Sequence, residues 1–180
     1  MGASMIKKTH IVFLSFLCAA LGGCGSSRPL AEKETSPLTV VTATDLHYLS
    51  PELTDYGTGF MRMVGNGDGK LTQYAPEITD VFLEEVEKLH PDALILSGDL
   101  SFNGEKTSHE ELAGKLFNLQ EQGIPVLVLP GNHDILYPFA AQFEAETVTR
   151  TERVSGEEFR DIYGSLGYQD AAGKDEESLS

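Results

Sequence analysis

Three short groups of residues have the types and spacing needed to hold metal ions and move a proton. The first is Thr44-Asp45-Leu46-His47, the second runs from Ser97-Gly98-Asp99 to Asn103-Gly104, and the third is Pro130-Gly131-Asn132-His133-Asp134. Asp45 and His47 stand at i and i+2, so in an extended segment their side chains point the same way and can grip one ion. The Asp99 carboxylate has two oxygens and can bridge two ions, and Asn132 adds a neutral carbonyl oxygen. Imidazole suits zinc or iron, and oxygen ligands suit manganese. Two ions about 3.5–4 Å apart lower the pKa of a bridging water and clamp both oxygens of an in-line phosphoryl displacement. His133 follows Asn132 and can reach a leaving group as a general acid, with Asp134 expected to orient it.

Each group follows an apolar run that reads as a strand. Leu38 to Thr44 is rich in β-branched residues and is expected to be buried on both faces; Ala93 to Leu96 and Val126 to Leu129 are shorter. Pro76 to His90 spaces Ile78, Val81, Phe82, Val86 and Leu89 as one face of a helix, with the proline in its first turn. Ser108-His109-Glu110-Glu111 has the form of a capping box and opens a helix through Leu112, Leu116 and Leu119 towards Gln122, stopped by Gly123. Alternating strands and helices imply a largely parallel α/β sheet, whose carboxyl ends are where ligands bind. The glycines before Asp99 and Asn132 permit sharp turns there. Residues 49–75 read as loop, with a turn cluster at Gly65-Asn66-Gly67-Asp68-Gly69 that lacks the spacing of a calcium loop. Pro138 to Thr147 and Ser155 to Tyr163 read as helices, and Asp175 to Ser180 as a frayed acidic end.

Asp45-x-His47, Gly98-Asp99 with Gly104, and Gly131-Asn132-His133-Asp134 together resemble the first three motif blocks of the calcineurin-like metallophosphoesterase superfamily. The resemblance implies a four-layer αββα sandwich with a two-metal site. It places Asp45 and His47 on the first metal, Asp99 between the two and Asn132 on the second, with His133 protonating the leaving alkoxide. Ser97 to Leu112, with Asp45-Leu46-His47-Tyr48-Leu49-Ser50, further resembles lipoprotein-type members proposed as cyclic nucleotide phosphodiesterases. The family supplies three more histidines downstream, one alone and two in a Gly-His-x-His block, whereas no histidine follows His133 here. The expected fold class is therefore α/β, a partial αββα metallophosphoesterase sandwich comprising the N-terminal half only, over residues 38–180. The expected function is hydrolysis of a small phosphodiester such as a cyclic nucleotide by a dinuclear metal-activated hydroxide, with two divalent ions (manganese, iron or zinc). The alternatives are a truncated, non-catalytic lipoprotein remnant, and a protein phosphatase with the same motifs. The chain alone is expected to be poorly active or inactive, because chelation by the remaining ligands is weaker.

Outside the motifs, His109 and Asn103 are candidate substrate contacts beside the Gly98–Gly104 loop, with solvent exposure the default for His109. His90 reads as an ordinary helix end, and Tyr48 either lines the pocket or packs beneath it. The net charge of −15 argues against a nucleic-acid binder, since little here would release phosphate counterions. Residues 1–24 read as a lipoprotein signal peptide: Lys7-Lys8 begin it, Ile11 to Leu21 is too short for the roughly 20 residues of a membrane span, and Leu21-Gly22-Gly23-Cys24 resembles a lipobox. Cys24 would carry the lipid, residues 25–37 would form a tether, and the domain would sit outside the cytoplasm on a membrane.

Overall fold

A computed structural model of the protein describes residues 36–67 and 69–169. The signal peptide, Cys24, most of the tether and the acidic end from Asp175 to Ser180 lie outside the described residues.

The three apolar runs form short strands, as their β-branched and aliphatic content favours. They are β1 (Val40–Ala43), β2 (Ala93–Ser97) and β3 (Val126–Leu129). All pair in parallel in the order β1-β2-β3, with Val41 opposite Leu94 and Leu96 opposite Val128. Between β1 and β2 run α1 (Thr58–Gly65) and α2 (Ala75–Leu89); between β2 and β3 runs α3 (Lys106–Glu121). The mixed α/β architecture with a parallel sheet is thus as expected.

One sheet face is the core. Leu94, Leu96, Val126 and Val128 pack against Leu83 and Val86 of α2 and Leu112, Leu116 and Leu119 of α3. Each such side chain, fully buried, contributes about 1.5–3 kcal/mol. The opposite face leaves Val40, Leu127 and Leu129 exposed, so β1 alternates rather than being buried on both faces. In α2 the buried stripe is Thr79, Leu83 and Val86, while Ile78, Val81 and Leu89 are exposed. The apolar spacing located the helix but not the face it buries. His90 ends α2 in a left-handed conformation with φ 47°. The start of α3 also differs from expectation. The helix begins at Lys106, so Ser108 and His109 lie inside its first turn and are buried, and the Ser108 hydroxyl accepts from the Ser50 backbone instead of capping.

Pro138 to Thr147 is not helical. It contains β4 (Ala141–Glu144), which pairs antiparallel with β5 (Thr147–Arg150), Phe143 opposite Val148. The period-two burial of Ala141 and Phe143, with β-branched Thr147-Val148-Thr149 following, outweighs the helical spacing. Ala145 makes the turn with φ 53°. Helix α1, unmarked in a stretch that reads as loop, sets Phe60 against Phe143 at a ring separation of 5.3 Å and closes a second apolar cluster with Leu49 and Leu53. The Ser155 helix is present as α4 (Gly156–Ile162), with a full capping box between Ser155 and Glu158.

Candidate metal centre

The backbone ladder continues past the strand ends and laces the three motif loops together. The Gly98 N–H donates to Leu129 O at 2.9 Å, Asp45 N–H to Gly98 O at 3.1 Å, and His47 N–H to Asp99 O at 3.0 Å. Asp45, His47 and Asp99 all take positive φ (57°, 45° and 43°), which is uncommon outside glycine. Asp45 and His47 therefore do not converge because their segment is extended; the backbone turns sharply at both.

One ligand atom from each of Asp45, His47 and Asp99 lies within 4.8 Å of the others. His47 Nε2 stands 3.6 Å from Asp45 Oδ1 and 3.8 Å from Asp99 Oδ2. Burial lowers the pKa of His47, the Lys70 charge lowers it further, and Asp99 opposes both. A neutral imidazole keeps the lone pair that a cation needs. His47 Nδ1 is buried without a hydrogen-bond partner. Two carboxylates and a neutral imidazole at this spacing fit a divalent cation. Asn132 joins Asp45 and Asp99 in the lining of one cavity of about 380 Å³. Glycine is required at Gly131, because a Cβ there would overlap the Asp99 backbone nitrogen and Oδ1.

His133 is tied to this group through its backbone, whose N–H donates to Asp99 Oδ1 at 3.0 Å. Its ring Nδ1 lies 3.0 Å from the Phe102 carbonyl and 3.2 Å from Asn103 Oδ1. A carbonyl only accepts, so Nδ1 carries a proton and the second proton of the imidazolium resides on Nε2. The ring stands edge-on to His47 at 5.2 Å and stacks on Tyr137 at 4.2 Å.

Asp134 does not orient this ring. It is fully buried, and its carboxylate accepts from the backbone N–H groups of Gly131, Leu100 and Ser101 and from the Ser101 hydroxyl, at 2.7–3.1 Å. It clamps the second motif loop to the third, and the orienting of His133 falls to Phe102 and Asn103. His109 is likewise corrected. It is fully buried beneath the site, where Nε2–H donates to the Asp134 carbonyl at 3.1 Å and Nδ1 accepts from the Tyr163 hydroxyl at 3.0 Å. Burial lowers its pKa against the pull of Asp134, and it cannot meet a substrate there. Tyr48 is also buried, which settles it as packing beneath the pocket. Sequence reasoning missed Tyr137 and Lys70. Tyr137 lies in a loop where no periodicity marks it, and Lys70 follows a turn yet lines a cavity of about 420 Å³ with Asp45 and His47.

A parallel α/β sheet that gathers carboxylate, imidazole and amide donors at its carboxyl edge defines a class of metal-binding α/β proteins. Residues 38–177 match the calcineurin-like phosphoesterase family, and the chain belongs to it. It is also 43% identical over 53 residues to a probable cyclic nucleotide phosphodiesterase of Ruthia magnifica subsp. Calyptogena magnifica, a match that takes in 29% of this chain and 21% of that relative.

Proposed function

We propose that the protein is a divalent-metal-dependent hydrolase of phosphoesters, acting on a small phosphodiester such as a cyclic nucleotide. The observation that carries this is the Asp45, His47 and Asp99 group within 4.8 Å, with His133 one hydrogen bond from Asp99. Asp45 and His47 would hold one ion, Asp99 would share both, and Asn132 would serve the second; manganese, iron and zinc suit these donors. When bound, such ions set positive charge against the phosphate oxygens and lower the pKa of water.

The chain's own residues supply the rest. Phe102 and Asn103 hold His133 with Nδ1 protonated, so that Nε2–H is the proton to be given. Water attacks phosphorus opposite the leaving oxygen and gives up one proton to solvent, the P–O bond breaks, the Nε2 proton passes to the departing alkoxide, and His133 regains a proton from solvent. The matched relative's name supports the choice of a cyclic nucleotide. Lys7-Lys8, the apolar run and Leu21-Gly22-Gly23-Cys24 support a lipid anchor on Cys24 and a site outside the cytoplasm. The acidic balance favours a small phosphoester over nucleic acid as partner.

The test is hydrolysis of bis-p-nitrophenyl phosphate and of an alkyl diester, with and without manganese. Turnover should require manganese and vanish in Asp99→Asn. His133→Ala should lose about 10²–10⁴-fold with the alkyl diester, and less with p-nitrophenolate, which leaves without help from an acid. Turnover indifferent to both manganese and Asp99→Asn would refute the assignment.

A further inference from the structure

A third cavity, of about 330 Å³, has Asn103 in its wall and is unlike the two that adjoin the acidic group. Its walls include Phe102, Phe139, Phe143 and Val148, with Asn103, Thr149 and Arg150 as polar residues. Asn103 touches His133 Nδ1 at 3.2 Å, so the cavity lies one side chain from the proposed proton donor. Aromatic contacts run the same way: Tyr137 stacks on His133, Phe139 meets Tyr137 at 5.5 Å, and the Arg150 guanidinium sits over Phe139 at 5.3 Å.

The apolar side chains at its rim are not accounted for by the core. Phe139 is 55% exposed and Val148 54%. An aromatic wall, a guanidinium lying over a ring and an amide beside them match a planar ring that bears hydrogen-bond acceptors. They do not match a phosphate, which the acidic group with its cations would take. The volume falls within the range of small-molecule sites.

We propose that this cavity receives the aromatic part of the leaving alcohol. The preferred substrates are then phosphoesters of alcohols that carry a planar heteroaromatic ring, nucleosides foremost. The assignment rests on the phosphoesterase function proposed above and adds the side of the substrate that the metal group does not touch. With the phosphate at Asp45, Asp99 and Asn132 and the leaving oxygen at His133, the alcohol's ring extends past Asn103 between Phe139 and Phe143.

Two substrates with the same reacting bonds test this: adenosine 3′,5′-cyclic phosphate and the base-free ribose cyclic phosphate, each with manganese. The wild type should favour the base-bearing substrate at least tenfold in kcat/KM, and Phe139→Ala and Arg150→Gln should each bring that ratio towards unity. Equal kcat/KM for the two substrates in the wild type would overturn the cavity assignment and leave the phosphoesterase function standing. Hydrolysis of neither would leave the cavity to be decided by titration with adenosine followed by NMR. Shifts centred on Val148 and Arg150 that disappear in Phe139→Ala would uphold it as an aromatic-ring site, and their absence in the wild type would overturn it.

Discussion

Glu105 ends the second motif loop in full burial, and its carboxyl is pushed from an ordinary 4.5 up to about 7. Desolvation is the largest cause; the backbone at Asn103, whose N–H donates to Oε2 at 2.8 Å, and at Glu105 and Ala141 opposes it. Well below pH 4.5 the group is neutral in both folded and unfolded chains. Between 4.5 and about 7 the unfolded chain ionises first, so the folded chain binds more protons and stability falls as pH rises. The gap between 4.5 and about 7, at 1.36 kcal/mol per pH unit, sets the loss at roughly 3 kcal/mol by pH 8. Glu105→Gln keeps an acceptor for Asn103 and removes the titration. Urea unfolding of both proteins in EDTA at pH 4.5, 6 and 8 measures the effect, because other titrating groups cancel in the difference between them. The wild type should lose up to about 3 kcal/mol more than Glu105→Gln across this window. Parallel pH dependences for the two proteins would refute the desolvation of Glu105.

Asp134→Ala should lower unfolding free energy by about 3–5 kcal/mol, read by urea denaturation, because three backbone N–H groups and the Ser101 hydroxyl lose a charged acceptor in a buried place. Gly131→Ala should abolish manganese-dependent turnover while a circular-dichroism spectrum persists, since its methyl displaces Asp99 rather than the core. Manganese should raise the melting temperature of the wild type, by the equivalent of about 2.7 kcal/mol at a hundred times Kd, and of Asp99→Asn far less. Ala145→Gly should stabilise the hairpin by about 1 kcal/mol in thermal unfolding, as glycine adopts φ 53° without the Cβ clash.

The three parallel strands and their order of motifs were legible because each Asp or Asn group follows an apolar run, with a glycine at the turn before Asp99 and before Asn132. Periodicity failed where two patterns overlapped. Ala141-Gln142-Phe143-Glu144 alternates, but the longer window from Pro138 to Thr147 also carries helical spacing, and the cross-strand partner Val148 lies at the edge of that window. In α2 nothing local says whether Val81 or Leu83 faces the sheet; only the docked sheet decides. The role of Asp134 was illegible for a related reason. Its neighbour in sequence is His133, but its partners are donors more than thirty residues away as well as Gly131.

Among the described residues outside glycine, seven take positive φ, and three of these are Asp45, His47 and Asp99. Each costs about 1–2 kcal/mol relative to a right-handed residue. No ordinary turn chemistry requires it, since glycine would serve at lower cost. What glycine lacks is a ligand. The fold therefore holds a carboxylate or imidazole at each sharp turn and offsets the strain with the inter-loop bonds from Asp45 to Gly98 and from His47 to Asp99, and with the Asp134 clamp beneath. Strain shared by all three side chains that converge within 4.8 Å, and braced by a fully buried carboxylate, sets this strand-end cluster apart from an incidental group of surface acids.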